Sequence, residues 1–259
     1  MTQGEAQRTE GGETARRALR LIEAVVTAGE PIGLDDLAAQ VGLSKSTGYR
    51  LLRVLQDELY VERADSGGYR VGSRLVAVSA AVLADNALYT AARPALKALS
   101  EAAGETATLH LRAGNQNVLV LGVESADQVL RRAATVGETT DLSSGSSGRS
   151  ILAFLKPAAA EPIIRADADQ PALRRALDEI RRDGYALSFG ANHPGLHGIA
   201  APVLSTFDGA GPPMSVAQPM SVALSGPADR WTGDRMVSFA DKLIATCARL
   251  SDLFSERRT

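Results

Sequence analysis

The stretch LDDLAAQVGLSKSTGYRLLRVLQD, residues 34–57, sets the organisation of the N-terminal part of the chain. Leu37 and Val41 lie on one face of a short predicted helix. Gly42 is suited to end that helix, and Ser44 is suited to cap the next one. A second apolar stripe, formed mainly by leucines, then follows at helical spacing. Two short helices joined by a tight turn predict a helix-turn-helix.

The second of these helices carries polar and basic residues on the face away from its leucines. A helix N-terminus has partial positive charge and free N–H groups, so it suits phosphate, and an arginine can bond a guanine edge through two hydrogen bonds. Three basic residues and no acidic residue stand between Leu43 and Gln56. An ordinary solvated face of a helical hairpin would show the same residue types. The candidate DNA-binding residues are Ser44, Lys45, Ser46, Thr47, Tyr49, Arg50 and Arg53.

A short β-hairpin is predicted directly after these helices. Residues 60–63 and 69–71 have the composition of strands, and ADSGG at 64–68 forms the turn. Arg63 and Arg70 flank its tip, where a winged module contacts phosphate or the minor groove. A small solvated hairpin is the alternative, but a hairpin this short needs a body to pack on, and the preceding helices provide one.

The segments on either side of this module are predicted from their composition. Residues 1–13 are polar and predict a disordered arm. Residues 14–28 predict a packing helix capped by Thr14, with its arginines on a solvated face. Residues 73–86 predict a helix that is apolar over a wide arc. Such a helix should pack against something, and a second copy of the chain is the simplest partner.

Whole-chain composition limits the class of protein. The 259 residues fit two domains, and the formal net charge of -2 excludes general adhesion to nucleic acid. The single cysteine, Cys247, excludes an internal disulfide and fits a reducing cytoplasm. No window approaches the roughly 18 apolar residues of a spanning helix, so we expect a cytoplasmic protein that does not enter a membrane. We expect no cofactor and no metal site, since Pro and Gly between His193 and His197 prevent a helical ligand pair.

The remainder of the chain mixes strands and helices. Predicted strands cover residues 106–112, 118–123, 129–133, 186–189, 198–203 and 220–225; predicted helices cover 88–103, 149–155, 171–183 and 229–254, with another starting at Pro157. Helices at both ends of an antiparallel sheet predict an α+β domain. The near-duplicates PMSVA at 213–217 and 219–223 leave the strand register ambiguous. We favour the second copy because it runs directly into SGP at 225–227.

A serine-rich bend, DLSSGSSGRS at residues 141–150, is the chemically notable part of that domain. Small hydroxyl residues leading into a helix leave N–H and O–H donors converging on one spot, as a site for a carboxylate or another oxyanion requires. A flexible turn is the alternative. The nucleophile pattern G-x-S-x-G fails because Arg149 occupies its last glycine position, so a serine-dependent hydrolase at Ser147 is kept only as an alternative.

A series of short segments occurs in a characteristic order along the chain: ALRLIE at 18–23, LA at 37–38, GLSKST at 42–47, RLL at 50–52, YRVG at 69–72 with Leu75, VG at 136–137, Gly148, GY at 184–185, GLHGIAAPV at 195–203 and SGP at 225–227. In this order they resemble the IclR family of bacterial transcription regulators over nearly the whole chain. Gly48 departs from the pattern, because such helices bury an aliphatic residue there. A glycine inside a helix costs about 1 kcal/mol relative to alanine, so either this helix is less stable or another side chain fills the gap.

The resemblance implies a winged helix-turn-helix domain at residues 14–72, a linker or dimerisation helix at 73–86 and a GAF-like effector-binding domain at 87–259. It implies double-stranded operator DNA as a partner, bound by a homodimer or by a pair of dimers.

The resemblance also implies a small-molecule effector surrounded by the serine-rich bend, the segment after residue 185 and two strands. Ser143 and Ser188 stand where relatives place an imidazole or aromatic ring and an acid, so the implied pocket is less charged than usual. It would hold a small carboxylate or polar metabolite through hydroxyls and N–H groups, with His193 or His197 as a further lining candidate. A vestigial pocket in an effectorless dimeric DNA-binding protein is the alternative. The implied contacts are Leu142, Ser144, Gly145, Ser146, Ser188, Gly198, Ala223 and Ser225.

Overall fold

The structure, a computed structural model, describes residues 10–84, 87–125, 133–204 and 219–256. The chain forms two compact units, Met1–Asp85 and Asn86–Thr259. Residues 1–9 of the predicted arm, residues 129–132 of a predicted strand and the first PMSVA copy lie outside the described residues.

The first unit consists of three helices, a hairpin and a fourth helix. Its elements are α1 (Glu10–Ala28), α2 (Leu34–Val41), α3 (Lys45–Asp57), β1 (Val61–Arg63), β2 (Tyr69–Val71) and α4 (Ser73–Ala84). Leu21, Val25, Leu37 and Leu52 form its core, which Tyr69 of the hairpin closes. The helix-turn-helix and wing predicted from the sequence are confirmed.

Helix α1 begins at Glu10, ahead of its predicted start at Thr14. Glu13 lies within 3.3 Å of the Arg16 guanidinium and 3.4 Å of the Arg17 guanidinium. An acidic residue one turn before arginines stabilises the start of a helix. Residues 10–13, whose polar composition predicted disorder, are therefore helical.

The corner between α2 and α3 explains how the chain accommodates Gly48. Gly42 adopts the left-handed conformation, with φ of 68°, and ends α2. Gly48 is buried, and a Cβ placed on it would lie 3.3 Å from the Cβ of Ala38 and 3.6 Å from Cδ1 of Leu34. The two helices therefore pack with little space between their backbones, and α2 side chains occupy the place of the missing aliphatic group.

The hairpin leads into α4 through a tight joint with the end of α3. Leu59 has a positive φ of 60°, and its carbonyl accepts a hydrogen bond from the backbone N–H of Arg74 at 3.0 Å. The Arg74 guanidinium bonds the Glu58 carboxylate at 2.8 Å and lies 5.5 Å from the centre of the Tyr60 ring. A Cβ on Gly72 would collide with the Leu59 carbonyl, so only glycine fits there. The first turn of α4 is thus fixed against the last turn of α3.

The described apolar side chains of α4 are largely open within its own unit. Val76 and Val78 are 57% and 46% exposed, and the described alanines from 77 to 81 are exposed as well. Such an arc is not the surface of an isolated soluble helix.

The second unit is a six-stranded antiparallel sheet with helices on both faces. The strands are β3 (Thr106–Ala113), β4 (Gln116–Val123), β5 (Thr139–Asp141), β6 (Ala186–Phe189), β7 (Leu196–Val203) and β8 (Met220–Pro227), in the order β5-β4-β3-β8-β7-β6. The helices are α5 (Ala87–Ala103), α6 (Gly145–Ala153), α7 (Pro157–Ala166), α8 (Gln170–Asp183), α9 (Gly233–Ser238) and α10 (Ala240–Glu256). The predicted α+β class is confirmed.

Strand alternation gives the two faces of this sheet different chemistry. Ala107 and Leu109 of β3 join the apolar core under α5 and α10. Thr108 and His110 point the other way, since successive side chains of a strand face opposite sides. A second apolar core lies among α6, α7 and α8. The polar face of the central strands is therefore covered by the start of α6, and this placement creates the cavity described below.

Several predicted boundaries in this unit are wrong. Helix α6 begins at Gly145, so much of the serine-rich bend is helical, and β5 was not predicted. The predicted closing helix at 229–254 is two helices separated at Phe239, because the fully buried Trp231 and the Thr232 cap, which accepts from the Arg235 N–H, define a separate start for α9. The second PMSVA copy provides the start of β8, as the sequence predicted.

Candidate functional sites

The face of α3 that points away from the core is polar and open to solvent. Lys45, Ser46, Tyr49, Arg50 and Arg53 are all exposed. Spacings of three, four and seven residues place Ser46, Tyr49, Arg50 and Arg53 on neighbouring positions of one helix surface. The structure therefore brings these predicted DNA contacts together.

Ser44 and Thr47 hold the start of this helix. The Ser44 hydroxyl accepts a hydrogen bond from the Thr47 backbone N–H at 3.3 Å and donates to the Thr47 hydroxyl at 2.9 Å. It also lies 3.2 Å from the Ser46 hydroxyl. This is an N-cap, which fixes the direction of the exposed helix end.

The predicted cations differ in what they already bind. Lys45 Nζ lies 2.8 Å from Asp35, and Arg70 Nε lies 2.8 Å from Glu62 across the hairpin. Arg63 donates two hydrogen bonds, of 3.1 and 3.0 Å, to the Gly67 carbonyl and so braces the tip of the wing.

Arg50 and Arg53 are different, because neither has a hydrogen-bond or ionic partner among the described residues. Their guanidinium groups are available to a ligand without breaking an internal contact. They are the strongest candidates on this surface.

The second unit contains a cavity of about 60 Å³ between the polar face of the sheet and the start of α6. Of the eight residues predicted to contact an effector, six line it: Gly145, Ser146, Ser188, Gly198, Ala223 and Ser225. Leu142 does not, because it is fully buried in the apolar core around α6, α7 and α8. Ser144 also lies outside the lining, but its hydroxyl donates to the lining residue Asn192 at 2.5 Å.

Gly198 lies in the cavity lining where two serine hydroxyls approach the backbone closely. A Cβ there would lie 3.0 Å from the Ser146 hydroxyl and 3.2 Å from the Ser225 hydroxyl. No hydrogen-bond partner occurs for either hydroxyl in the part of the chain that the structure describes. The absence of a side chain at Gly198 lets both hydroxyls lie close to its backbone, and each hydroxyl can donate to or accept from a ligand.

A buried polar network that the sequence did not reveal lines the opposite end of the floor. The Asn117 amide nitrogen lies 3.2 Å from Nδ1 of His110, 3.0 Å from the Ser147 hydroxyl and 3.1 Å from the Thr140 hydroxyl. His110 Nε2 lies 2.9 Å from the Thr108 hydroxyl. Fixed hydroxyl and amide groups thus face the cavity.

Glu138 is the one acidic residue in the cavity lining among the described residues. Glu138 Oε1 lies 2.6 Å from Nε2 of His193, so the ring nitrogen donates to the carboxylate. Leu119, Leu196 and His197 complete the wall, and no lysine or arginine lines it among the described residues. His193 and His197 both line the cavity, and Glu138 adds one carboxylate to a lining that was predicted to be less charged than usual.

The serine hydroxyls of residues 143–150 lack the partners that nucleophilic catalysis requires. Ser144 bonds Asn192, and Ser147 receives the Asn117 amide. In the described chain, none of these hydroxyls bonds an imidazole, a carboxylate or a lysine, so no general base activates them. A search of the described residues also finds no group of three potential metal ligands and no helix long and apolar enough to cross a membrane.

Family models match both parts of the chain. The model for the IclR helix-turn-helix domain matches residues 14–65. The model for the bacterial transcriptional regulator IclR C-terminal domain matches residues 80–252. The chain belongs to the IclR family. It is a DNA-binding transcriptional regulator of the IclR type and not an enzyme, and its predicted family membership is confirmed.

The similarity to curated relatives covers nearly the whole chain. It is 26% identical over 263 residues to the HTH-type transcriptional repressor AllR of Klebsiella pneumoniae, covering 96% of this chain and 92% of that one. It is 26% identical over 260 residues to AllR of Escherichia coli K12, covering 96% and 93%.

Solved structures show the same fold. An IclR transcriptional regulator of Silicibacter sp. TM1040 superposes with a TM-score of 0.74 at 26% identity, covering 93% of this chain and 96% of that one. An IclR homolog of Microbacterium hydrocarbonoxydans complexed with 4-hydroxybenzoate superposes with a TM-score of 0.73 at 20% identity, covering 92% and 99%. At that lower identity the likeness concerns the fold alone.

Proposed function

We propose that this IclR-family regulator binds operator DNA through the exposed face of α3 and the wing, as a homodimer or a pair of dimers, and that a small polar ligand in the cavity of the second unit changes that binding. The observation that carries the proposal is the combination of two separate sites. One is an exposed basic helix face, and the other is a partly enclosed polar cavity.

The α3 face has the chemistry that DNA recognition needs. Its N-terminal end is capped internally, so Ser46, Tyr49, Arg50 and Arg53 project from a fixed helix. Unpaired arginines can bond base edges in the major groove or phosphate oxygens. Lys45, Arg63 and Arg70 would each give up an internal contact, an exposed ion pair or a backbone hydrogen bond, in order to bind a phosphate. Giving up an exposed ion pair costs little free energy, because such pairs are worth about 0–1 kcal/mol.

Helix α4 supports a dimer. Its exposed valines and alanines form an apolar surface on the helix that follows the wing, and a second α4 of the same chain would cover it. Two DNA-binding units held by one dimer would face two half-sites separated by a set number of base pairs. The proposed domain division is the DNA-binding module at residues 14–72, this linker helix at 73–86 and the effector-binding domain at 87–259.

The lining of the cavity favours a small carboxylate or another polar metabolite. A volume of about 60 Å³ has room for a few water-sized groups, so it suits the polar end of a small ligand. The start of α6 directs backbone N–H groups and the Ser146 and Ser147 hydroxyls toward the cavity side, which suits one anionic or carbonyl oxygen. The nearby Glu138 carboxylate and the lack of a lining lysine or arginine in the described chain disfavour a ligand with two negative charges.

An effectorless dimerisation domain would have a closed, fully packed interior at this place. The cavity and the unpaired hydroxyls around Gly198 favour a ligand site instead. In the relative from Microbacterium, the same fold was found in a complex with 4-hydroxybenzoate. That aromatic carboxylate is therefore a sensible member of a test panel.

The test is DNA binding by the purified chain on the DNA upstream of its own gene, with and without a panel of small metabolites. Protection of two half-sites, released or strengthened by one class of ligand, is the expected result. Because the AllR relatives are repressors, a reporter driven by that promoter should also be scored for loss of repression. Binding to random DNA with equal affinity would contradict the operator proposal, and a complete lack of ligand effect or ligand-induced thermal shift would contradict the effector proposal.

A further inference from the structure

The connection between β6 and β7 passes over the cavity as a short strap, defined here as residues 190–195 with the sequence GANHPG. Glycines with positive φ stand at both ends, Gly190 at 74° and Gly195 at 80°. The Gly190 N–H donates to the Leu196 carbonyl at 2.9 Å, which closes the base of the strap. The two ends are therefore held by the sheet, while the middle residues extend away from it.

Two side chains in the middle of the strap bind the opposite wall. Asn192 Oδ1 accepts a hydrogen bond of 2.5 Å from the Ser144 hydroxyl, next to the first turn of α6. His193 Nε2 donates to Glu138 Oε1 at 2.6 Å, just before β5. These contacts start from adjacent residues and reach different elements, so together they hold the strap down at two points.

The strap covers part of the cavity while these contacts are made. Ser146 and Ser147 line it, yet they are only 6% and 8% exposed. The strap residues Asn192 and His193 also line it, so they form part of its cover. On the side that the strap covers, the two serines are therefore shielded from solvent.

We propose that the strap is the gate of the cavity, held shut by the Asn192–Ser144 and His193–Glu138 contacts, and that it opens for a ligand to enter or leave. This inference concerns the regulation of the cavity and rests on the proposed function for the identity of what passes through it. The flanking glycines give the strap its hinges, because their backbone conformations are not restricted by a side chain. Both contacts are at or near the surface and individually weak, so opening does not require unfolding of the sheet.

Chemical labelling of a cysteine inside the cavity measures the gate without any ligand. In a Ser146→Cys chain, the rate of modification by methyl methanethiosulfonate reports how often the cavity opens to solvent. The native thiol does not interfere, because Cys247 is 1% exposed and burial raises its pKa to about 12. A Ser225→Cys chain provides a second reporter on the other side of Gly198 in case the first one disturbs the start of α6.

The variants Asn192→Ala and His193→Ala should each raise the labelling rate roughly three- to tenfold, because each removes one of the two contacts. The double variant should label faster than either single variant. Ala191→Ser is the matched control, since Ala191 is an exposed strap residue and bonds neither wall; its labelling rate should equal that of the parent. Circular dichroism and thermal melting establish that each chain is folded.

Equal labelling rates in the parent, the single variants and the double variant, with both reporters, would overturn the gate. Faster labelling in the control as well would also overturn it, because looseness of the loop would then explain the result without the two contacts. The assay contains neither DNA nor effector. A ligand panel without effect would therefore refute the proposed effector function and leave the gate untouched. Unchanged labelling rates would refute the gate and leave the proposed effector function untouched.

Discussion

Replacing Arg50 with alanine should weaken operator binding while leaving the stability of the protein almost unchanged. The Arg50 side chain is exposed and has no internal partner among the described residues, so its removal breaks no contact of the folded chain. We expect the free energy of unfolding to change by less than about 0.5 kcal/mol. If the guanidinium bonds a base edge, the variant should lose about 1–3 kcal/mol of specific binding, or roughly 5- to 150-fold in Kd.

Fluorescence anisotropy with a labelled operator fragment at several salt concentrations separates the two possible roles of Arg50. Loss of a base contact weakens specific binding and leaves the salt dependence nearly intact. Loss of a phosphate contact reduces the slope of log K against log salt by about 0.9. Arg175→Ala is the matched control, because Arg175 is an exposed arginine of α8 in the second unit. Unchanged affinity and slope for Arg50→Ala, or an equal loss in the control, would refute the assignment of α3 as the DNA-binding helix.

Gly198→Val should fill the cavity floor and remove any ligand-induced thermal shift, because a Cβ there already meets two hydroxyls; a shift equal to that of the parent would contradict the site. Arg230→Ala should cost about 3–5 kcal/mol in urea unfolding, because the fully buried Glu105 carboxylate loses its two bonds of 2.7 and 3.0 Å to the Arg230 guanidinium. Arg182→Ala removes only the exposed pair of Arg182 with Asp183 and should lower stability far less than Arg230→Ala does; equal losses would refute this ranking. Burial raises the pKa of the Cys247 thiol to about 12 from its model-compound value of 9.0, so stability should fall as pH rises above 9, where only the unfolded thiol ionises. A stability profile that is flat across this alkaline range in the parent, or equally steep in Cys247→Ala, would show that the thiol is not responsible.

The first unit could be predicted because its signals are local. The Gly42 turn, the Ser44 cap and the apolar spacing of α2 and α3 each act within a few residues of the chain. The start of α1 was missed because its first residues are polar, and the ion pairs of Glu13 that support the extra turn cannot be weighed from composition.

The cavity was predicted in part because its serine and glycine residues stand in recognisable segments. Leu142 was wrongly included, because an apolar residue ahead of a helix contributes equally well to the core, where it lies. Asn117, His110 and Glu138 were missed for a different reason. They come together in the cavity lining through the pairing of β3, β4 and β5, and that register is set by residues far apart in the sequence.

The joint at Leu59 has a consequence for how movement spreads through the first unit. The Arg74 backbone N–H binds Leu59 and the Arg74 guanidinium binds Glu58, both directly after α3. Gly72 packs closely against the Leu59 carbonyl. A rotation of α4 about its own axis is therefore passed to α3 without an intervening flexible loop. In the proposed complex with DNA, the angle between Arg50 and the groove would therefore depend on the rotation of α4.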